Sequence, residues 1–141
     1  MPVPTEVFLS HSTEDAPMPE RLSATLTRHG IPVFFSPVNI IGAQQWQNEI
    51  LAALRRCDWF IVLLSPNAIN SMWVKREVAY ALQDRRYEDR IIPVKYIDCP
   101  LDSLHWLTLF QMINLTADFR KGCRELLRIW GIGFREDLLP D

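Results

Sequence analysis

The chain has 141 residues, the size of one domain and enough to bury a core. Hydrophobic residues make up 48% and charged residues 23%, which excludes a disordered or low-complexity chain. A formal net charge of −2 argues against a nucleic-acid binder, whose affinity rests on a basic surplus.

In chain order, Glu6–Ser10 reads as a first strand. Asp15 and Pro17 open a helix with a stripe at Leu22 and Leu26, and Gly30 is its C-cap candidate. Ile31–Phe35 is a second, short strand. Ser36–Ala43, with Pro, Asn and Gly, reads as a loop. Trp46, Ile50, Ala53 and Leu54 follow at helical spacing. Trp59–Leu64 is apolar throughout, as a central parallel strand covered on both faces should be. Ser65-Pro66-Asn67 breaks it, and Ser71 caps a helix running to Gln83. Ile91–Tyr96 is a fourth strand, and its Pro93 points to an irregular or less central place. Leu101–Leu107 is a short helical or irregular connection, Gln111–Leu115 a fifth strand, and Asp118–Trp130 a closing helix. The tail after Gly131 carries little structure on this reading, giving one domain with its core at about 6–130 and a short tail at 131–141.

Strands alternating with helices predict an α/β doubly wound parallel sheet, flavodoxin-like, of order 2-1-3-4-5 with helices on both faces. The switch point then lies between strands one and three. Ligands in such sheets sit beyond the carboxyl ends of the strands there. Ser10-His11-Ser12 and Ser65-Pro66-Asn67 should line that crevice.

The helix opened by Ser71 starts beside the same crevice. Its Trp73 and Glu77 are four residues apart and share a face. An indole beside a carboxylate suits a flat cationic ring, which the one stacks against and the other attracts. Periodicity alone equally allows a packing tryptophan and a solvated glutamate.

Other constellations carry less. Cys57, Cys99 and Cys123 form no zinc pattern or disulfide framework and read as buried or half-buried free thiols, and no metal site is expected. Gly131-Ile132-Gly133 does not follow a strand and open a helix, so a classical dinucleotide fingerprint is absent, which argues against a dehydrogenase. Ser10, His11 and Asp15 lack a nucleophile elbow, and neighbours on a strand face opposite ways. His29 and His105 have no companions at ligand spacing and read as surface or packing residues. The N-terminus is no signal peptide, and the run Trp59–Leu64 is too short to span a bilayer, so a cytosolic protein without membrane contact is expected.

Five segments in order resemble the motif boxes of TIR (Toll/interleukin receptor) domains. They are Val7–Ser12 with Asp15; Gly30–Phe35; Gly42 with Trp46; Leu64–Ala68 followed by Ser71–Glu77; and Ile91–Val94. The match spans about residues 6–96 and is closest in character to bacterial members. This resemblance implies an NAD+ glycohydrolase or cyclase in immune or cell-death signalling, with Glu77 as the catalytic residue. It implies substrate contacts from Ser10, His11, Ser12, Phe35 and Ser36, with Trp73 nearby. Trp46, at the start of the second helix, and Ser65, at the crevice, complete the expected set. NAD+ enters as substrate, and no cofactor is implied. The chain departs from the family pattern in having Ser36-Pro37 in place of an acidic residue and Ser12-Thr13 in place of basic ones. Its loop Asn39–Gly42 also lacks the proline of animal adaptors.

With no glycine-rich phosphate cradle, the pyrophosphate is expected at the Ser10 and Ser12 hydroxyls and the amides of the first helix. A plain strand-end turn is the other reading of those serines. Val38, Ile40 and Ile41 suggest self-association through the 36–43 loop, or a loop folded onto its own domain. The rival functions are a non-catalytic TIR–TIR scaffold and, fitting the box order less well, nucleoside deoxyribosyl transfer.

Overall fold

The computed structural model describes residues 2–35 and 43–140, with the backbone alone for residues 43–46. Five parallel strands form one sheet of order β2-β1-β3-β4-β5, as expected. They are β1 (Val7–Ser10), β2 (Val33–Phe35), β3 (Trp59–Leu64), β4 (Ile91–Lys95) and β5 (Ile113–Asn114). The helices are α1 (Met18–Arg28), α2 (Ala43–Arg56), α3 (Pro66–Ile69), α4 (Met72–Gln83) and α5 (Phe119–Ile129), with a 3-10 stretch over Asp102–Leu109.

Successive strand residues face opposite ways, and this divides the interior into two cores. Phe8, Phe60, Val62 and Leu64 pack under α2, α3 and α4. Val7, Leu9, Trp59, Ile61 and Leu63 pack against α1 and α5. Phe8 joins the first core by stacking between Phe34 and Phe60, at centroid distances of 5.3 and 5.5 Å. The unbroken apolar run of β3 follows from its being covered on both faces.

Helix ends obey local chemistry. Ser71 accepts from the Val74 N–H and starts α4, and Asp118 accepts from Lys121 N–H and starts α5. Gly30 takes φ +87°, the left-handed conformation that ends α1 at little steric cost.

Two expectations need correction. Ser65-Pro66-Asn67 does not merely interrupt the chain. Ser65 caps the four-residue helix α3, with Pro66 at its first position. Pro93 lies in β4, less central than β3 as expected and one place from the edge strand. Its missing N–H costs nothing there. Tyr96 N–H donates toward β3, so residue 93 by alternation faces β5, whose pairing starts only at Val94. The tail also docks back: Phe134 stacks on His29, and the Arg135 N–H donates to His29 Nε2 at 2.9 Å.

Cys57 and Cys123 are buried and Cys99 half-buried, all with free thiols. No helix among the described residues is long and apolar enough to cross a membrane.

Candidate functional site

A cleft of about 370 Å³ opens at the carboxyl end of β1, beside the switch point. One wall is the turn after β1, with His11, Ser12, Thr13 and Glu14. The other is α3 and the start of α4, with Asn67, Asn70, Ser71 and Trp73; Glu77 also lines the cleft.

Glu77 occupies a core position of α4. Val74, Val78 and Ala81 are buried on the same stripe, and Glu77 is only 6% exposed. Burial pushes its carboxyl up from 4.5 to about 7, against a smaller opposing effect of the hydrogen bond from Ser10. Ser10 Oγ donates to Glu77 Oε1 at 2.6 Å. Strand alternation explains the choice of partner: Phe8 and Ser10 face α4, while Val7 and Leu9 face α1 and α5. A carboxyl poised near neutrality in a cleft can act as a fixed anion or exchange a proton.

The buried Asp15 joins the two walls. Ser65 Oγ donates to its Oδ2 at 2.5 Å and Asn67 Nδ2 to its Oδ1 at 2.9 Å. The turn after β1 is thereby pinned to the start of α3. The Ser65 hydroxyl also accepts from the Ala68 N–H, which leaves it fully engaged.

His11, Ser12, Trp73 and Glu77 thus come together in one cleft. Ser10 and Ser65 stand behind it, 1% and 0% exposed, each holding a carboxylate. Phe35 stacks on His11 at a centroid distance of 4.6 Å and supports that ring from β2. Ser36 lies outside the described residues, and so does the Trp46 side chain. The two serines expected at the phosphates already have partners within the chain. The Ser10 hydroxyl is committed to Glu77, and the Ser12 hydroxyl accepts from Glu14 N–H at 3.2 Å, in a turn that carries Glu14 and Asp15.

Asn70, Thr13 and Glu14 were not singled out in the sequence. Asn70 follows the unforeseen helix α3, so its place had no periodic signal. The burial of Glu77 had a faint one: a lone carboxylate within the apolar set 74, 78, 81.

The sequence model of the TIR domain matches residues 7–127. The chain belongs to the TIR domain family. Two solved structures share the TIR fold with it. The TIR domain of the Toll-related receptor TRR-2 from Hydra magnipapillata is 20% identical with a TM-score of 0.73, over 88% of this chain and 96% of that one. The TIR domains of the activated Roq1 resistosome, which directly recognises the pathogen effector XopQ, are 18% identical with a TM-score of 0.70, over 89% and 98%. No curated protein sequence matches the chain significantly. In this TIR domain the first, second, fourth and fifth boxes fall on β1 with its turn, β2, the β3–α4 segment and β4; of the third, Trp46 lies in α2 and Gly42 is outside the described residues.

Proposed function

We propose that this TIR domain is an NAD+ nucleosidase of the bacterial kind, which breaks the nicotinamide–ribose bond in immune or cell-death signalling. The observation that carries this reading is the buried carboxylate of Glu77, held by Ser10 in a cleft that also presents Trp73.

The chemistry asks for little more. Most glycosidases need a second carboxyl group to protonate an alkoxide leaving group. Nicotinamide leaves a pyridinium as a neutral base and takes the bonding pair without a proton. The remaining barrier is positive charge growing on the ribose. A carboxylate fixed before the reaction stabilises that charge as it develops. It also accepts hydrogen bonds from the ribose hydroxyls and keeps the sugar in place. Trp73 offers the ring a stacking face. Water attack then yields ADP-ribose, and attack by the adenine of the same molecule yields a cyclic product.

The test is incubation of concentrated protein with NAD+ and chromatography of the products, beside Glu77→Gln. The amide keeps the shape and an acceptor for Ser10 but loses the charge. Nicotinamide release should fall by roughly 100- to 1000-fold. Equal rates in the two proteins would refute the assignment.

The second reading is a TIR–TIR interaction module without catalysis. The likeness to TIR domains taken from an assembled resistosome favours it. It predicts intact NAD+ at every protein concentration.

A further inference from the structure

The chain past α5 returns to the end of α1 and meets it at one histidine. Gly131, at φ +72°, turns the chain out of α5, and the Ile132 N–H donates to the Leu127 carbonyl at 3.0 Å. Ile132 and Phe134 then pack against the core that α1 and α5 share. Phe134 stacks on His29, the residue that caps α1, at a centroid distance of 5.7 Å. The Arg135 N–H donates to His29 Nε2 at 2.9 Å.

Both ring nitrogens of His29 are engaged, and their partners fix which one carries the proton. A backbone N–H only donates, so Nε2 offers its lone pair to Arg135. A carbonyl only accepts, so Nδ1, 2.7 Å from the Thr25 carbonyl oxygen, carries the hydrogen. The docked tail thus requires the neutral Nδ1–H tautomer. A second proton can go only to Nε2, where it meets the Arg135 N–H head on. The charged groups around the ring come from three elements. Arg28 adjoins it on α1 and donates to the Leu138 carbonyl at 3.5 Å. Arg124 and Arg128 of α5 lie beside Phe134, and the Arg124 guanidinium is 5.5 Å from that ring's centroid. On the tail, Arg135 pairs with Asp137 at 2.8 Å, and Glu136 pairs with Arg120 of α5 at 2.9 Å. Both ion pairs are more than half exposed and hold the tail only weakly.

We propose that His29 is a proton-operated latch for the tail, which docks while the ring is neutral and leaves over residues 134–139 when the ring is protonated. Histidine is the side chain whose charge ordinarily changes between about pH 5 and 8. Docking needs the unprotonated ring, so it is strongest at the alkaline end of that range and weakens as pH falls. The proton comes from solvent and returns to it, and no covalent bond changes. Release takes Glu136 from Arg120 and Phe134 from Arg124, and so uncovers a basic face of α5. This face adjoins the end of α1 remote from the cleft.

The test is amide hydrogen exchange of the whole chain, followed residue by residue by NMR and corrected for the intrinsic effect of pH. Between about pH 8 and about pH 5, protection of the Arg135 amide should fall by about five- to tenfold, the worth of one net hydrogen bond. Nitrogen-15 shifts of the His29 ring at the alkaline end should show Nδ1 protonated and Nε2 bare. His29→Gln keeps an oxygen to accept from Arg135 and an N–H to donate to Thr25, and it carries no charge at either pH. Protection of Arg135 in this variant should be the same at both ends of the range. Unchanged protection in the parent protein, or the opposite tautomer, would overturn the proposal. So would an equal fall in His29→Gln, which would move the response to the acidic residues of the tail.

Discussion

Glu77 is the residue at which stability and chemistry oppose one another. Its folded pKa of about 7 lies above the ordinary 4.5, so the folded protein binds this proton more tightly than the unfolded chain does. The stability it contributes is complete below pH 4.5 and is lost as pH rises toward and through about 7. The gap corresponds to about 3 kcal/mol. Glu77→Gln should therefore match the parent in thermal melts near pH 4 and exceed it at pH 8, by up to about 3 kcal/mol. A variant less stable at pH 8 would show that the carboxylate is paid for locally. Activity carries the opposite sign. In the proposed reaction the anion is the working form, so kcat/KM should rise as pH passes about 7. A bound pyridinium favours the anion, which places the same limb lower in the profile of kcat. Ser10→Ala removes a hydrogen bond that lowers this pKa and should move the kcat/KM limb to higher pH.

Among the elements, the junction of the β1 turn with α3 governs the cleft walls. Asp15→Asn puts an amide donor against one of two existing donors, Ser65 or Asn67. The expected cost is about 1–3 kcal/mol in urea unfolding, with a raised KM from loosened walls. A second junction seals the far side of the sheet. A Cβ on Gly122 of α5 would come within 2.2 Å of Leu115 Cδ2 and 2.7 Å of the Asn114 carbonyl oxygen beside β5. Because one obstacle is backbone, Gly122→Ala should cost about 1–3 kcal/mol without changing the chemistry. Elements with a full period were legible in the sequence. β3 and α4 occupy the expected Trp59–Leu64 and Ser71-capped run to Gln83. The helix α3 was not, since four residues are one turn and carry no repeat. β5 shrank to two residues for a related reason: pairing with Val94 and Lys95 alone defines it.

At the scale of the whole molecule, the order β2-β1-β3 decides which loops meet. Ser10 and Glu77 are 67 positions apart and touch because β1 and α4 flank one core. The topology was legible, since right-handed crossovers leave few arrangements for alternating strands and helices. The proposed self-association belongs to this scale too, although its loop, residues 36–42, lies outside the described residues. Ile41→Asp should yield a monomer in light scattering and remove any rise of specific activity with protein concentration. Full activity in a monomeric variant would detach assembly from catalysis.

The sequence by itself determined the sheet, its strand order and the candidates Glu77, Trp73 and the box after β1. Hydrophobic period and chain connectivity are local properties that survive translation into one dimension. Tertiary structure alone decided how those candidates are used. It turned Ser10 and Ser65 inward onto carboxylates, engaged the Ser12 hydroxyl with the Glu14 N–H, and placed Glu77 out of water. Burial and hydrogen-bond partnership depend on what distant segments exclude, and a carboxyl group's charge state follows from that exclusion.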